Sequence, residues 1–212
     1  MKTTIYILAF ALSVSAAFGN DEKYLEQMAK NIETLYNAKT NDELQQGINA
    51  IERIANFEKT KWEPYYYIAF GYAMMANREP LPSKKDIYLD QAATAIKQAT
   101  SLHENESEIS VLEGFVNMIR VTVDPPTRGQ QYSGLAFQSY QKALALNPEN
   151  PRALGMLAQM QYGTAQFFGS STAEACSTAK KALEKFGTFK SENALAPQWG
   201  KEMTKGLLSQ CK

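Results

Sequence analysis

One histidine, His103, and two cysteines, Cys176 and Cys211, are the chain's whole stock of imidazole and thiol. That stock excludes a zinc site built from several histidines, and it leaves any hydrolase dyad dependent on a single imidazole. His103 falls in "SLHEN", where a helix ends and a partial positive charge suits the dipole, so a solvated helix end is the expectation. Carboxylates gather at Glu104, Glu106 and Glu108 and again at Asp86 and Asp90. Calcium loops need a set spacing of oxygen ligands around a turn glycine, and neither group has it, so these acids read as caps and solvated faces. A glycine-rich phosphate cradle is also missing. The segment "DPPTRG", Asp124 to Gly129, is a loop candidate in which Arg128 is suited to clamp a carboxylate or phosphate. The plainer reading has Asp124 and Arg128 tie that connector to neighbouring helix ends. No catalytic residue, metal or cofactor is called for, and the chain is expected not to be an enzyme.

Aromatic residues concentrate in "KWEPYYYIAFGYAMMA", Lys61 to Ala76. On a helix starting at Pro64, Tyr66, Tyr67, Phe70, Ala73 and Met74 share the buried face, and Tyr65, Ile68, Tyr72 and Met75 fall on the neighbouring one. The chain carries 22 basic and 22 acidic residues, a balance that offers no electrostatic footprint for nucleic acid or an anionic membrane. Lys2, the apolar run Ile5 to Leu12 and the small residues ending at Gly19 have the layout of a secretory signal peptide over 1–19. The run is too short to span a bilayer, which takes ~20 apolar residues. The expectation is an exported chain, periplasmic or secreted, with one domain over 20–212 and no integral membrane span.

The elements that position these residues are helices. In "NPENPRA", residues 147 to 153, Pro148 stops one helix and Pro151 opens the next, with Asn150 as its N-cap. Further start signals pair Thr40 with Glu43, Ser83 with Asp86, Asn105 with Glu108, and Ser171 with Glu174. Together they predict helices at about 21–38, 41–58, 64–78, 84–102, 106–122, 131–146, 151–165, 172–187 and 197–210. No stretch alternates as a strand would.

The helices repeat. Ala92, Ile96, Ala99 and Leu102 match Ala136, Tyr140, Ala143 and Leu146, and Ala175, Ala179 and Ala182 continue the series, with Gly47, Ile51 and Ile54 as an earlier worn copy. Phe70-Gly71, Glu113-Gly114 and Leu157-Ala158 form a second series in the preceding helices. These residues, and "YQKALALNPENPRA" above all, resemble the tetratricopeptide repeat, in which a small residue lets the two helices of a hairpin approach closely. With "WEPYYY", "DPPTRG" and "LAPQWG", the arrangement is similar to exported tetratricopeptide proteins of the Bacteroidota. The resemblance runs from about Asp21 to Phe186. It implies an all-α solenoid of antiparallel hairpins: a degenerate pair at 21–58, repeats at about 64–102, 106–146 and 151–187, and a capping helix at 197–210. The period exceeds the usual 34 residues. The excess lies in "NREPLPSKKDIYLD" and "VDPPTRGQQYSG", where longer loops joining extended helices are expected along one edge.

In such repeats the first helix of each pair lines a concave groove. Carrying the matching positions over adds Glu108, Val111, Phe115, Met118, Arg152, Gln159 and Tyr162 to Tyr65, Ile68, Tyr72 and Met75. The resemblance thus implies a non-catalytic scaffold binding a protein or peptide partner. The rival reading is a small-ligand receptor or enzyme on the same scaffold, with the tyrosine-rich repeat and Arg128 walling a pocket. If the last two helices are antiparallel, Cys176 and Cys211 lie within ~5 Å of one level. A bridge is feasible, and two buried thiols are the other outcome.

Overall fold

The computed structural model describes residues 21–211, so the expected signal peptide over 1–19 lies outside the described residues. Nine helices are present among them and no strand. They are α1 (21–37), α2 (Asn41–Phe57), α3 (Glu63–Arg78), α4 (Pro82–Leu102), α5 (Ser107–Val121), α6 (Pro125–Leu146), α7 (Pro151–Phe167), α8 (Ala173–Thr188) and α9 (Lys201–Leu208).

Consecutive helices pair as hairpins α3–α4, α5–α6 and α7–α8. The first members also stack on one another in the order α3, α5, α7, α9. This is the expected all-α solenoid, with one layer of helices inside the curve and one outside. The repeated alanines sit at the helix contacts: Ala92, Ala136 and Ala175 are no more than 1% exposed, as are Ala99, Ala143 and Ala182. Two glycines show why the small residue recurs. A Cβ on Gly71 would lie 2.6 Å from Cγ1 of Ile48, and one on Gly114 would run into the ring of Tyr140.

The junctions follow local chemistry. Thr40 and Glu43 form a full capping box on α2, and Asn150 Oδ1 accepts from the amides of Arg152 and Ala153 at the start of α7. Elsewhere the caps move. Leu81, not Ser83, precedes α4; Glu106, not Asn105, caps α5; and Thr172 precedes α8 without a side-chain bond.

The longer loops expected inside the hairpins are absent: the extra residues extend the helices, so that α4 has 21 residues and α6 has 22. The reason is that Pro82, Pro125 and Pro126 occupy first-turn positions, where fixed φ favours a helix and the missing N–H is not needed. "DPPTRG" is therefore mostly the first turn of α6, with the Asp124 side chain accepting from Thr127 N.

The last helix is shorter than expected, Lys201–Leu208. Gly200 has φ 100°, a left-handed conformation open to glycine, and the helix starts only after it. The cysteines are bridged, with Cα atoms 5.8 Å apart, which ties α8 to the backbone just beyond α9.

Candidate binding surfaces

Residues 189–200 are irregular backbone and lie as a strap across the concave face, against side chains of α1, α3, α5 and α7. The strap is held by side chains from several helices. Tyr67 Oη donates to Leu195 O at 2.7 Å, Gln198 N donates to Tyr36 Oη at 3.0 Å, and Trp199 Nε1 donates to Tyr66 Oη at 2.9 Å. Asn193 Nδ2 donates to Glu63 Oε1 at 3.2 Å. The Trp199 ring lies between Phe70 and Phe115, at centroid distances of 5.8 Å and 5.3 Å. Leu195 is 4% exposed. Burial, and then the Glu108 carboxylate, pushes the Tyr66 phenol well above its ordinary pKa; burial does the same for Tyr67. Both phenols are neutral hydrogen-bonding groups.

Beneath the strap sits a buried ion pair. Arg152 Nε and Nη2 donate to the two carboxylate oxygens of Glu108, both at 2.7 Å. Asn150 Nδ2 donates to Glu108 Oε1 and to Ser107 Oγ, and Ser107 Oγ donates to Ala143 O. Arg152 Nη1 reaches Trp199 O at 3.5 Å. Every strong polar group here has a partner from the chain itself, as a buried pair requires.

The groove candidates separate in the structure. Glu108, Phe115 and Arg152 lie together under the strap. Tyr72 instead faces Gln45 and Glu52 of α2. Val111 is fully buried, and Ile68 and Met75 are 6% and 3% exposed. Tyr65 is half-buried against the core. Met118 accepts a hydrogen bond from Tyr140 Oη. Gln159 and Tyr162 donate to backbone carbonyls of Met203 and Gln210, facing the C-terminal cap. Arg128 forms a two-pronged bond with Asp86, and Asp124 caps α6, so neither is held out to a ligand. His103 is the C-cap of α4, its ring 6.0 Å from that of Trp62.

Sequence reasoning does not identify Tyr36, Leu195 and Trp199 as groove residues. It places Tyr66, Tyr67 and Phe70 on a buried face without naming their cover. The only local signal is the proline and glycine flanking Trp199 in "LAPQWG", which mark irregular backbone.

Open surfaces among the described residues include two hollows. One is a hollow of about 390 Å3 between α1 and α2, with Tyr24, Ala50, Ile54 and Phe57 as its apolar walls and Lys23 and Arg53 among its polar ones. Phe57 is 77% exposed. Tyr24 Oη donates to Glu63 Oε2 at 3.3 Å, and burial followed by that carboxylate pushes its phenol well up. The other is a trough of about 420 Å3 where α6, α7 and α8 meet, with Phe137, Met160 and Gln161 in its walls and Glu174 as its charged group. Phe167 ends α7 and Phe168 follows it in the turn, both strongly exposed. No three histidine, cysteine or acidic side chains come together to hold a metal ion among the described residues, and no described helix is long and apolar enough to cross a membrane.

No family model and no curated protein matches the chain. Among solved structures, it is similar to the HusA haemophore from Porphyromonas gingivalis, at 30% identity and a TM-score of 0.78, over 89% of this chain and 92% of that one. It also resembles a thermophilic TPR protein of Thermus thermophilus, at 15% identity and a TM-score of 0.57, over 93% of this chain and 97% of that one. The second likeness concerns the fold alone.

Proposed function

The chain belongs to the helical-repeat family of the HusA haemophore, and from that membership we propose that it is an exported, non-catalytic carrier for a flat, largely apolar ligand of the haem class. The observation that carries this reading is end-to-end similarity to a haemophore at 30% identity. Haem enters here as cargo.

The fold supports a carrier in a physical way. A stacked solenoid holds its surface side chains on rigid helices, so a ligand is met with little ordering cost. The protein or peptide partner implied by the repeat family has less support. A peptide entering the concave face must displace Leu195 and Trp199 and break the strap's bonds with Tyr36, Tyr66 and Tyr67. A non-catalytic role agrees with the surroundings of His103, whose ring contact is with Trp62 at the end of α4. Export rests on the signal-like segment over 1–19 and on the disulfide, which suits an oxidising compartment.

Titration of the protein with haem tests the reading. A saturable change in the Soret band at one ligand per chain is the expected result. Absorbance indistinguishable from free haem at all ratios would remove the haem class, and recovery of a peptide bound under a displaced strap would establish the alternative.

A further inference from the structure

Resting on the haem-class reading, we propose that the ligand site is the hollow between α1 and α2. There Phe57 and Ile54 receive the face of the macrocycle, and Lys23 and Arg53 receive the carboxylates on its edge.

The ligand class sets two demands: an apolar surface for a wide, flat ring, and positive charge at one rim for two carboxylates. The hollow meets both. Ala50 and Ile54 of α2 and Tyr24 of α1 form a floor, and Phe57 stands at its side with 77% of its surface exposed. An aromatic ring left in water at a concave site lacks the burial that normally stabilises it, and a stacked ligand would supply that burial. Lys23 and Arg53 make no ion pair among the described residues, whereas the arginines at 120, 128 and 152 each bind a carboxylate and Arg78 donates to the backbone carbonyls of Ala38 and Thr40. One acid, Glu58, also lines the hollow, so the local balance is two cations to one carboxylate.

The trough at α6, α7 and α8 meets the first demand only. Phe137 and Met160 offer apolar surface and a soft sulfur, but the charged group in its wall is Glu174, which repels a dianion. Gln161 Nε2 already donates to that acid. The concave face is worse placed, because Arg152 there is bound to Glu108 beneath the strap.

Affinity measurements with haem and with its dimethyl ester, which keeps the ring and loses both charges, test the assignment. Wild-type protein is expected to bind the ester about tenfold more weakly than haem, since exposed charge pairs contribute modestly. The double variant Lys23→Gln/Arg53→Gln is expected to bind both forms at the wild-type ester affinity. Phe57→Ala is expected to weaken both equally. These residues are on the surface, so the variants keep their fold, which unchanged urea midpoints verify.

If the wild type binds haem and the double variant binds it just as tightly while Phe137→Ala/Met160→Ala does not, the site is the trough and the assignment is overturned. If the wild type itself leaves haem unbound, the underlying reading falls first and the assignment with it.

Discussion

The concave face and the α1–α2 hollow are both made of tyrosine or phenylalanine interspersed with charge, yet the chain has finished one and left the other open. On the concave face, Arg152 and Glu108 have side chains 4% and 9% exposed and are bound to each other. The aromatic rings are covered by the strap. In the hollow, Lys23 and Arg53 have no ion pair among the described residues and Phe57 stands in water. Residue type alone therefore does not mark a binding surface. What separates the two is whether the same chain supplies the partner for each charge and each ring.

The largest effect that would test this contrast is expected at Glu108. Replacing it with alanine strips the Arg152 guanidinium of its carboxylate inside the core and takes an acceptor from Asn150, the cap of α7. A loss of about 3–5 kcal/mol is expected for a broken buried pair. Urea unfolding measures it. Haem affinity per folded molecule should stay at the wild-type value, because the hollow lies on another hairpin.

Next comes the disulfide. Cys176 and Cys211 are 35 positions apart, and removing a bridge that closes a loop of this kind costs typically about 2–4 kcal/mol. In Cys176→Ser/Cys211→Ser, hydrogen exchange is expected to quicken in α8, α9 and the strap before it does so in α1 and α2. Uniform acceleration along the chain would show that the bridge stabilises the whole stack and not the finished face in particular.

Much of this architecture can be read from residue order. The alanine series is legible because each hairpin must bring the same positions into close contact, and the contact recurs at a nearly fixed period. The caps at Thr40 and Asn150 are legible because side chain and amide lie within three residues of each other. The first turns of α4 and α6 read as loops in the sequence, since a proline-rich stretch has the same composition in a connector as in a first helical turn. The strap is illegible for a different reason. Leu195 meets Tyr67 across 128 residues and Trp199 meets Tyr66 across 133, and no local period records such a meeting. That is why Tyr66, Tyr67 and Phe70 can be placed on a buried face without showing what buries them. The hollow joins two helices through residues as far apart as Lys23 and Phe57, with one exposed phenylalanine at a helix end as its only trace.

A smaller change separates the strap from the groove below it. Trp199→Ala removes the ring between Phe70 and Phe115 and the bond to Tyr66. Since Trp199 is only partly buried, a loss of about 2–3 kcal/mol is expected, below that of a fully buried tryptophan. Limited proteolysis should then cut within 189–200 at protease concentrations that leave the wild type whole. Haem affinity is expected to hold. A sharp rise in affinity would mean that the strap competes with the ligand, and the roles of the two surfaces would be exchanged.

The smallest effect is expected from the ion cluster at Asp86, which resembles the concave pair in chemistry but sits near water. Arg128 Nη1 and Nη2 bond to its two oxygens at 2.6 Å and 2.9 Å, and Arg120 Nη1 lies at 3.6 Å from Oδ1. The hydrogen bonds from Arg128 hold the Asp86 carboxyl below the usual range against the opposing effect of burial, and the charges of Arg128 and Arg120 add to them. Because the folded value is the lower one, the stabilisation is fully present above the unfolded value of ~4 and is lost as pH falls through the folded value. Partial exposure of the carboxylate and Arg128, 28% and 31%, keeps the effect small. Asp86→Asn should lower the melting temperature slightly at pH 7, and the gap should narrow as the pH drops below ~4. A gap constant down to acid pH would mean that Asp86 acts through packing, and that the solvent-facing pairs of this solenoid do not behave as the charge-paired outer counterpart of Glu108 and Arg152.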